Sequence, residues 1–461
     1  MAKKSLGALD RSFLALEDRD VMMHVGGLVE LAPPPGGAAN LARELRDELR
    51  RDPPVRAPWN LRLEHPDLLK SPVQSWVTDD APDVEYHVRR SALASPGDER
   101  ELGILVSRLH GTPLDLHRPP WEAHFIEGLA GGRLAMYFKV HHALVDGYTA
   151  MRLLVRSLST EPNVETPLFF TLPERDGGRR EPRDTEATSL DALFHAAREQ
   201  LGVTKDVGRA LMGAMRARKT TPELALPMQA PRSILNRRIS RSRRFATAQV
   251  KLERVKKLAA SSGGTVNDVV LAICGAALRR FLLELGELPT KPLIAMVPVN
   301  IRPKDDPGGG NAVGAILASL ATDVESPRAA LDAVIASTSR AKAQLQGMSK
   351  AAIFQYSALV LAPMLLSFVP GAAGRVRPAF NVVVSNVPGP DHPLYFRGSK
   401  VEEVYPLSIP FHGYGLNVTV ESYDGSLNFG FTGCRDTVPR LQKLAVHAID
   451  VVDTLVAGAR R

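Results

Sequence analysis

Apolar side chains fall on alternate residues between Arg133 and His142: Leu134, Met136, Phe138 and Val140 share one parity. That period of two predicts a strand over 133–142. Elsewhere the spacing is helical. Residues 41–51 follow a Pro/Gly-rich turn and predict a charged surface helix. Residues 101–115 and 147–158 carry apolar residues at helical spacing. The stretch 173–189 is rich in Gly, Pro and charge and predicts a linker or mobile loop. Leu190, Leu193, Phe194, Ala197 and Leu201 then line one side of a helix over 190–201, placed in the crossover between two units.

The second half repeats this alternation of types. From Val250 to Gly286 two helical patterns are split by Ser261-Ser262-Gly263-Gly264. Residues 291–303 and 381–390 each predict a strand running into a proline-containing turn, and 414–433 a hairpin turning at Asp424-Gly425. A C-terminal helix closes the chain. The expectation is an α/β protein of two units with mixed sheets: residues 1–172, a linker with crossover helix over 173–244, and residues 245–461. The length of 461 residues suits two cores better than one.

Composition adds limits. Hydrophobic residues make up 44% and charged residues 23%, as in an ordinary soluble domain. The apolar run 358–369 contains a proline and falls short of the roughly 20 residues a spanning helix needs. The opening residues lack a signal-peptide apolar region. The expected location is therefore cytoplasmic, with peripheral contact to a membrane or lipid droplet. Two cysteines, Cys274 and Cys434, and no Cys-x-x-Cys pair argue against structural zinc or a disulfide framework. The net charge of +8 favours anionic partners. Six arginines lie in 232–244, where a solvated linker and a phosphate or membrane contact are both open readings. No aromatic residues interleave with them, which disfavours nucleic acid.

Candidate chemistry concentrates at HHALVDG, residues 141–147. Adjacent histidines near a carboxylate admit three readings: a base and its orienter, half a metal site, or an ordinary strand–turn–helix junction. In a persisting strand His142 shares the face of Leu134 to Val140 and His141 points with Tyr137 and Lys139, so the pair suits joint chelation poorly. Imidazole is the side chain suited to proton transfer near neutral pH, and a hydroxyl nucleophile needs such a base. Asp146 either orients the imidazole or holds the loop, and Gly147 marks the turn into the helix. In SGGTVNDVV, Thr265 with Asp268 spells a variant capping box; Asn267 is free to serve a site, with its amide available to a developing oxyanion. No Gly-x-Ser-x-Gly elbow suggests an acyl-enzyme.

His-His-x-x-x-Asp-Gly resembles the signature of the chloramphenicol acetyltransferase-like superfamily. Within it the chain most resembles the bacterial wax ester synthase/diacylglycerol acyltransferase family. The likeness runs through residues 9–27, PLDLHRPPWE at 113–122 (with Pro120 where that family usually has leucine), TVNDVVLA at 265–272, VPVNIRP and GNAVGA within 297–315, and SNVPGP at 385–390. The resemblance implies two superposable domains with a tunnel between them, acyl-CoA entering from one face and an alcohol from the other. It implies that His142 is the general base, with His141 beside it, that Asp146 is mainly structural, and that Asn267 belongs to the site. Gly147 and Asp268 would be structural members of the motifs; Arg302, in VNIRP, reads first as an ordinary surface-turn arginine and second as a structural partner for a motif carboxylate. Long-chain alcohols or diacylglycerol would be acylated to wax esters or triacylglycerol, with no metal and no cofactor beyond acyl-CoA as substrate. Two alternatives stand beside this: the same fold acylating another alcohol or an amine, and a lipid-binding protein without catalysis.

Overall fold

The computed structural model describes residues 3–69, 74–172, 229–301, 312–346 and 377–458, together with 353, 356, 357 and 360. The helix expected over 190–201, Arg302, and the apolar run 358–369 apart from Val360 lie outside the described residues.

The first half contains β1 (Lys3–Ser5), α1 (Ala8–Leu16), β2 (His24–Leu31), α2 (Ala38–Leu49), β3 (Leu61–Leu63), β4 (Ser75–Thr78), α3 (Val84–His87), β5 (Val88–Ala92), α4 (Glu99–His110), β6 (Trp121–Glu127), β7 (Leu134–His141) and α5 (Gly147–Val155). The second contains β8 (Arg243–Lys251), α6 (Leu252–Ser262), α7 (Val266–Glu284), β9 (Ile294–Ile301), β10 (Ala312–Ser319), α8 (Pro327–Gln346), β11 (Val382–Val387), β12 (Tyr395–Phe396), β13 (Ser399–Leu407), β14 (Leu416–Tyr423), β15 (Ser426–Cys434) and α9 (Gln442–Gly458).

Two six-stranded sheets organise these elements. Their orders are β12-β13-β2-β7-β6-β5 and β10-β9-β11-β14-β15-β8; β1, β4 and β3 form a small third sheet. Both large sheets are mixed, because β5 runs parallel to β6 and β11 runs parallel to β9 and β14. The strand expected from the alternation at 133–142 is β7. It is buried on both sides: Leu134, Met136, Phe138 and Val140 enter one apolar cluster, while Ala135 and Tyr137 enter another. The hairpin turns at Asp424 and Gly425, both with positive φ (40° and 75°), the conformation a two-residue connection requires.

Helix α7 is the second of the two helical patterns expected over 250–286. It is apolar almost all round, with 13 residues buried, because α6, α8 and α9 as well as the second sheet pack against it. Thr265 caps its start: the hydroxyl accepts from the Asp268 N–H at 3.3 Å, and the Asp268 carboxylate accepts from the Thr265 N–H at 2.8 Å.

The two halves are not separate in space. Strand β13 leaves the second sheet's half of the sequence and pairs antiparallel with β2, from Val401↔Leu31 to Leu407↔Gly26. It also lies against the second sheet: a Cβ at Gly430 would stand 1.9 Å from the Pro406 carbonyl oxygen, so only glycine fits that crossing. One apolar cluster includes Val29, Met136 and Val404 from the first sheet and Ile294, Met296 and Val383 from the second. The arginine-rich stretch helps close the seam. Arg243 is buried and donates to the Asp20 carbonyl at 2.7 Å, Arg238 approaches Asp20, and Arg237 pairs with Glu287. No described helix is long and apolar enough to cross a membrane.

Candidate active site

Strand β7 delivers the histidine pair at its last residue. His24 of β2 lies directly opposite His141. The backbone N–H of His142 donates to the Met23 carbonyl at 2.8 Å, and the N–H of His141 to the Pro120 carbonyl at 2.9 Å. The chain then turns at once, with the Leu144 N–H returning to the His141 carbonyl. Asp146 is the N-cap of α5: its carboxylate accepts from the Thr149 N–H at 2.7 Å and from the Thr149 hydroxyl at 2.9 Å. Gly147 begins that helix; a Cβ there would make only ordinary contact with Val25, at 3.7 Å.

The two imidazoles have different surroundings. His141 is buried. Its Nδ1 accepts the Ala143 N–H at 3.1 Å, which leaves the proton of the neutral ring on Nε2. That Nε2 donates to Oε2 of Glu17 at 2.8 Å. The same carboxylate oxygen accepts the Met23 N–H at 3.0 Å. His142 is half-buried, and its ring stacks on Phe13 with centroids 4.3 Å apart and planes inclined by 24°. Phe13 and Glu17 both come from α1, Glu17 as its C-cap. Neither was singled out from the sequence. The available signal was their spacing of four, which sets two side chains one above the other at a helix's end.

A buried polar network lies behind His141 on the same strand parity. Lys139 contacts Glu122 at 3.2 Å and donates to the carbonyls of Leu109 and Thr112. Arg89 and His124 also approach Glu122, at 3.3 and 3.6 Å. Burial pulls Lys139 below its ordinary value while Glu122 pulls the other way. For Glu122 burial pushes upward, but His124, Lys139 and Arg89 outweigh it and leave the carboxyl below the usual range. His110 sits between the Tyr137 hydroxyl at 2.9 Å and the Ser408 carbonyl at 3.1 Å, and burial takes it down to about 3. Burial, with His110 and Lys139 adding to it, holds His24 well below the usual imidazole range. These two imidazoles are therefore neutral and structural near pH 7.

Asn267 and Asp268 stand on the second lobe. Asn267 is half-buried in the first turn of α7. Asp268 is buried, and Thr338 donates to it at 2.7 Å with Lys342 at 3.4 Å. Burial raises its pKa, but the bonds from Thr338 and Thr265 and the Lys342 charge prevail and hold the carboxyl below its usual range. The chain thus places the histidines and Asp146 at one strand–helix junction and Asn267 with Asp268 at a helix start in the other lobe. Among the described residues no group of three or more His, Cys, Asp or Glu is arranged to hold a metal ion. A small apolar recess lined by Leu31, Leu41, Leu45, Phe125 and Leu134 lies under α2, at the end of β7 opposite the histidines, and does not include them.

Comparison with known proteins agrees with this architecture. Residues 6–270 match the wax ester synthase/diacylglycerol acyltransferase catalytic domain, and residues 309–455 match the C-terminal domain of the same family. The chain is 51% identical to a putative diacylglycerol O-acyltransferase of Mycobacterium tuberculosis, covering 99% of this chain and 97% of the relative. It is 39% identical to the O-acyltransferase WSD of Acinetobacter baylyi, covering 96% and 95%. A solved wax ester synthase/diacylglycerol acyltransferase from Marinobacter aquaeolei superposes with a TM-score of 0.78 at 36% identity, covering 99% of this chain and all of that one. The starter condensation domain of rhizomide synthetase shares the fold at 13% identity, with a TM-score of 0.54 over 100% of this chain and 95% of that one. The chain therefore belongs to the wax ester synthase/diacylglycerol acyltransferase family.

Proposed function

We propose that this protein is an acyl-CoA-dependent O-acyltransferase that esterifies long-chain fatty alcohols, diacylglycerol or both, forming wax esters and triacylglycerol. The observation that carries the mechanism is the placement of the histidine pair at the end of β7, against α1. His141 is committed through both ring nitrogens, to Glu17 and to the Ala143 N–H, while the half-buried His142 rests its ring face on Phe13. His142 is the base and His141 fixes the local frame.

In this scheme the alcohol oxygen attacks the thioester carbonyl as His142 takes its proton. The C–O bond forms, the carbonyl π pair moves onto oxygen, and a tetrahedral intermediate results. The Asn267 amide donates to that oxyanion. Collapse breaks the C–S bond, and protonated His142 returns the proton to the coenzyme A thiolate. A positioned base of this kind contributes about 10²- to 10⁴-fold. Asp146, Gly147 and Asp268 serve structure: Asp146 and Asp268 are occupied in capping α5 and α7. Acyl-CoA is a substrate, and no metal or further cofactor takes part.

The reaction is placed in a passage between the lobes, the units being residues 1–172 and 245–461 joined through 173–244. Acyl-CoA approaches from one side and the alcohol from the other. Both products and one substrate class are water-insoluble, so the site of action is the cytoplasmic surface of a membrane or lipid droplet. The test is direct: purified protein with palmitoyl-CoA and either hexadecanol or diolein yields palmityl palmitate or triacylglycerol. His142→Ala abolishes product while leaving the melting transition in place. A folded His142→Ala protein with near-normal turnover overturns the mechanism, and free fatty acid as the sole product overturns the acyl-transfer reading.

A further inference from the structure

We propose that Phe13 is a positioning residue for His142, holding the plane of the imidazole from which the acceptor's proton is taken. This rests on the assignment of His142 as the base. The opening segment 9–27 enters the sequence resemblance, yet the scheme above gives it no task. The structure supplies one. Helix α1 presents Phe13 and, one turn later, Glu17. Glu17 holds His141 by a hydrogen bond, and Phe13 covers one face of the His142 ring at 4.3 Å. One short helix thus touches both members of the pair.

An imidazole on a strand end has a broad, soft second torsion. A stacked ring constrains that plane from its face and does not itself occupy the ring edge. Phe13 is itself buried, 3% exposed, within the apolar cluster that includes Leu14, Val25 and Val145. Burial in that cluster restricts its ring, so it can act as a wall. An aromatic face also favours a cation laid over it, and His142 carries a positive charge between proton capture and proton return.

Three variants test this with palmitoyl-CoA and hexadecanol. Phe13→Leu keeps an apolar side chain of similar bulk and removes the flat face. Its kcat falls about 10- to 100-fold, the order expected when a reacting group loses its alignment, while both KM values stay within about threefold. Phe13→Tyr keeps the face and retains kcat within about threefold of the parent. His142→Ala is inactive. Proton NMR gives an independent reading: the carbon-bound imidazole protons of His142 show an upfield ring-current shift in the parent protein that Phe13→Leu abolishes. The proposal is overturned if Phe13→Leu keeps kcat within about twofold, if a folded Phe13→Tyr loses as much as Phe13→Leu, or if the parent shows no ring-current shift. Should Phe13→Leu fail to fold, the tyrosine variant and the parent spectrum still decide the matter. Turnover by His142→Ala would instead remove the assigned base, and the proposal with it.

Discussion

Oε2 of Glu17 accepts two hydrogen bonds at once, from Nε2 of His141 at 2.8 Å and from the Met23 backbone N–H at 3.0 Å. One carboxylate oxygen therefore ties the C-terminal end of α1 to the segment entering β2 and to the first histidine of the pair. Glu17→Gln keeps the shape and an amide oxygen with two lone pairs, so it can still accept both bonds and loses only the carboxylate charge; its kcat is expected to stay within about tenfold. Glu17→Leu removes the acceptor, and its kcat is expected to fall about 10²-fold, in line with the effect of misplacing a catalytic frame. Steady-state kinetics with a thermal melt on each variant check this; unchanged kcat in a folded Glu17→Leu protein would show that His141 needs no anchor.

Asp146 caps α5 through both carboxylate oxygens. Asp146→Ala is expected to cost about 0.5–2 kcal/mol of stability, the usual loss of an N-cap. Asp146→Asn and Asp146→Ser, which can still cap, recover most of it. Urea unfolding read by circular dichroism distinguishes capping from a direct catalytic task. If Asp146→Ser restores stability but leaves the enzyme inactive, the carboxylate does more than cap.

Lys139 is fully buried beside Glu122. Lys139→Met strands Glu122 with only partial compensation from Arg89, and the expected destabilisation is about 3–5 kcal/mol. The double variant Lys139→Met/Glu122→Gln removes the stranded charge and recovers part of that loss. A double-mutant cycle in guanidinium measures the coupling, and additive losses would contradict it.

A pH dependence follows from the seam between β13 and β2. Glu403 lies directly opposite Glu30 in the register, and Glu99 and Arg133 join them, Arg133 donating to Glu30 at 2.8 Å and to Glu99 at 2.7 Å. Burial, then the charges of Glu99 and Glu403, push Glu30 from 4.5 up to about 9 despite Arg133. The folded state therefore holds a proton that the unfolded chain releases. The stability linked to Glu30 is complete below about pH 4.5 and declines as pH rises towards about 9. Glu421, pushed to about 8 by burial, acts in the same direction. The urea midpoint should drop between pH 6 and pH 9, and Glu30→Gln should flatten that drop. An equal slope in parent and variant would show that Glu30 does not carry the proton.

How much of this was legible beforehand depended on distance along the chain. The alternation of Leu134 to Val140 is a local signal, and it marks both β7 and the opposite parity of His141. Asp424-Gly425 between two alternating runs likewise spells its own hairpin. The Thr265–Asp268 spacing of three spells the capping box at α7. Pairing across hundreds of residues leaves no such mark. β2 carries Gly26-Gly27, and β13 has its alternation broken by a bulge between Val401 and Glu403, so neither advertises the other. Glu17 and Phe13 were hidden for the same reason: their partners lie more than 120 positions away, and nothing local distinguishes them from other residues of an amphipathic helix.

The loan of β13 from the later part of the chain to the earlier sheet has a mechanical consequence. A clam-like opening would have to unzip the ladder from Val401 to Leu407 or pull Pro406 off Gly430. Parting of the two sheets as rigid jaws is thereby opposed. A gene cut between the halves would yield one fragment missing a rung and another with a dangling ribbon.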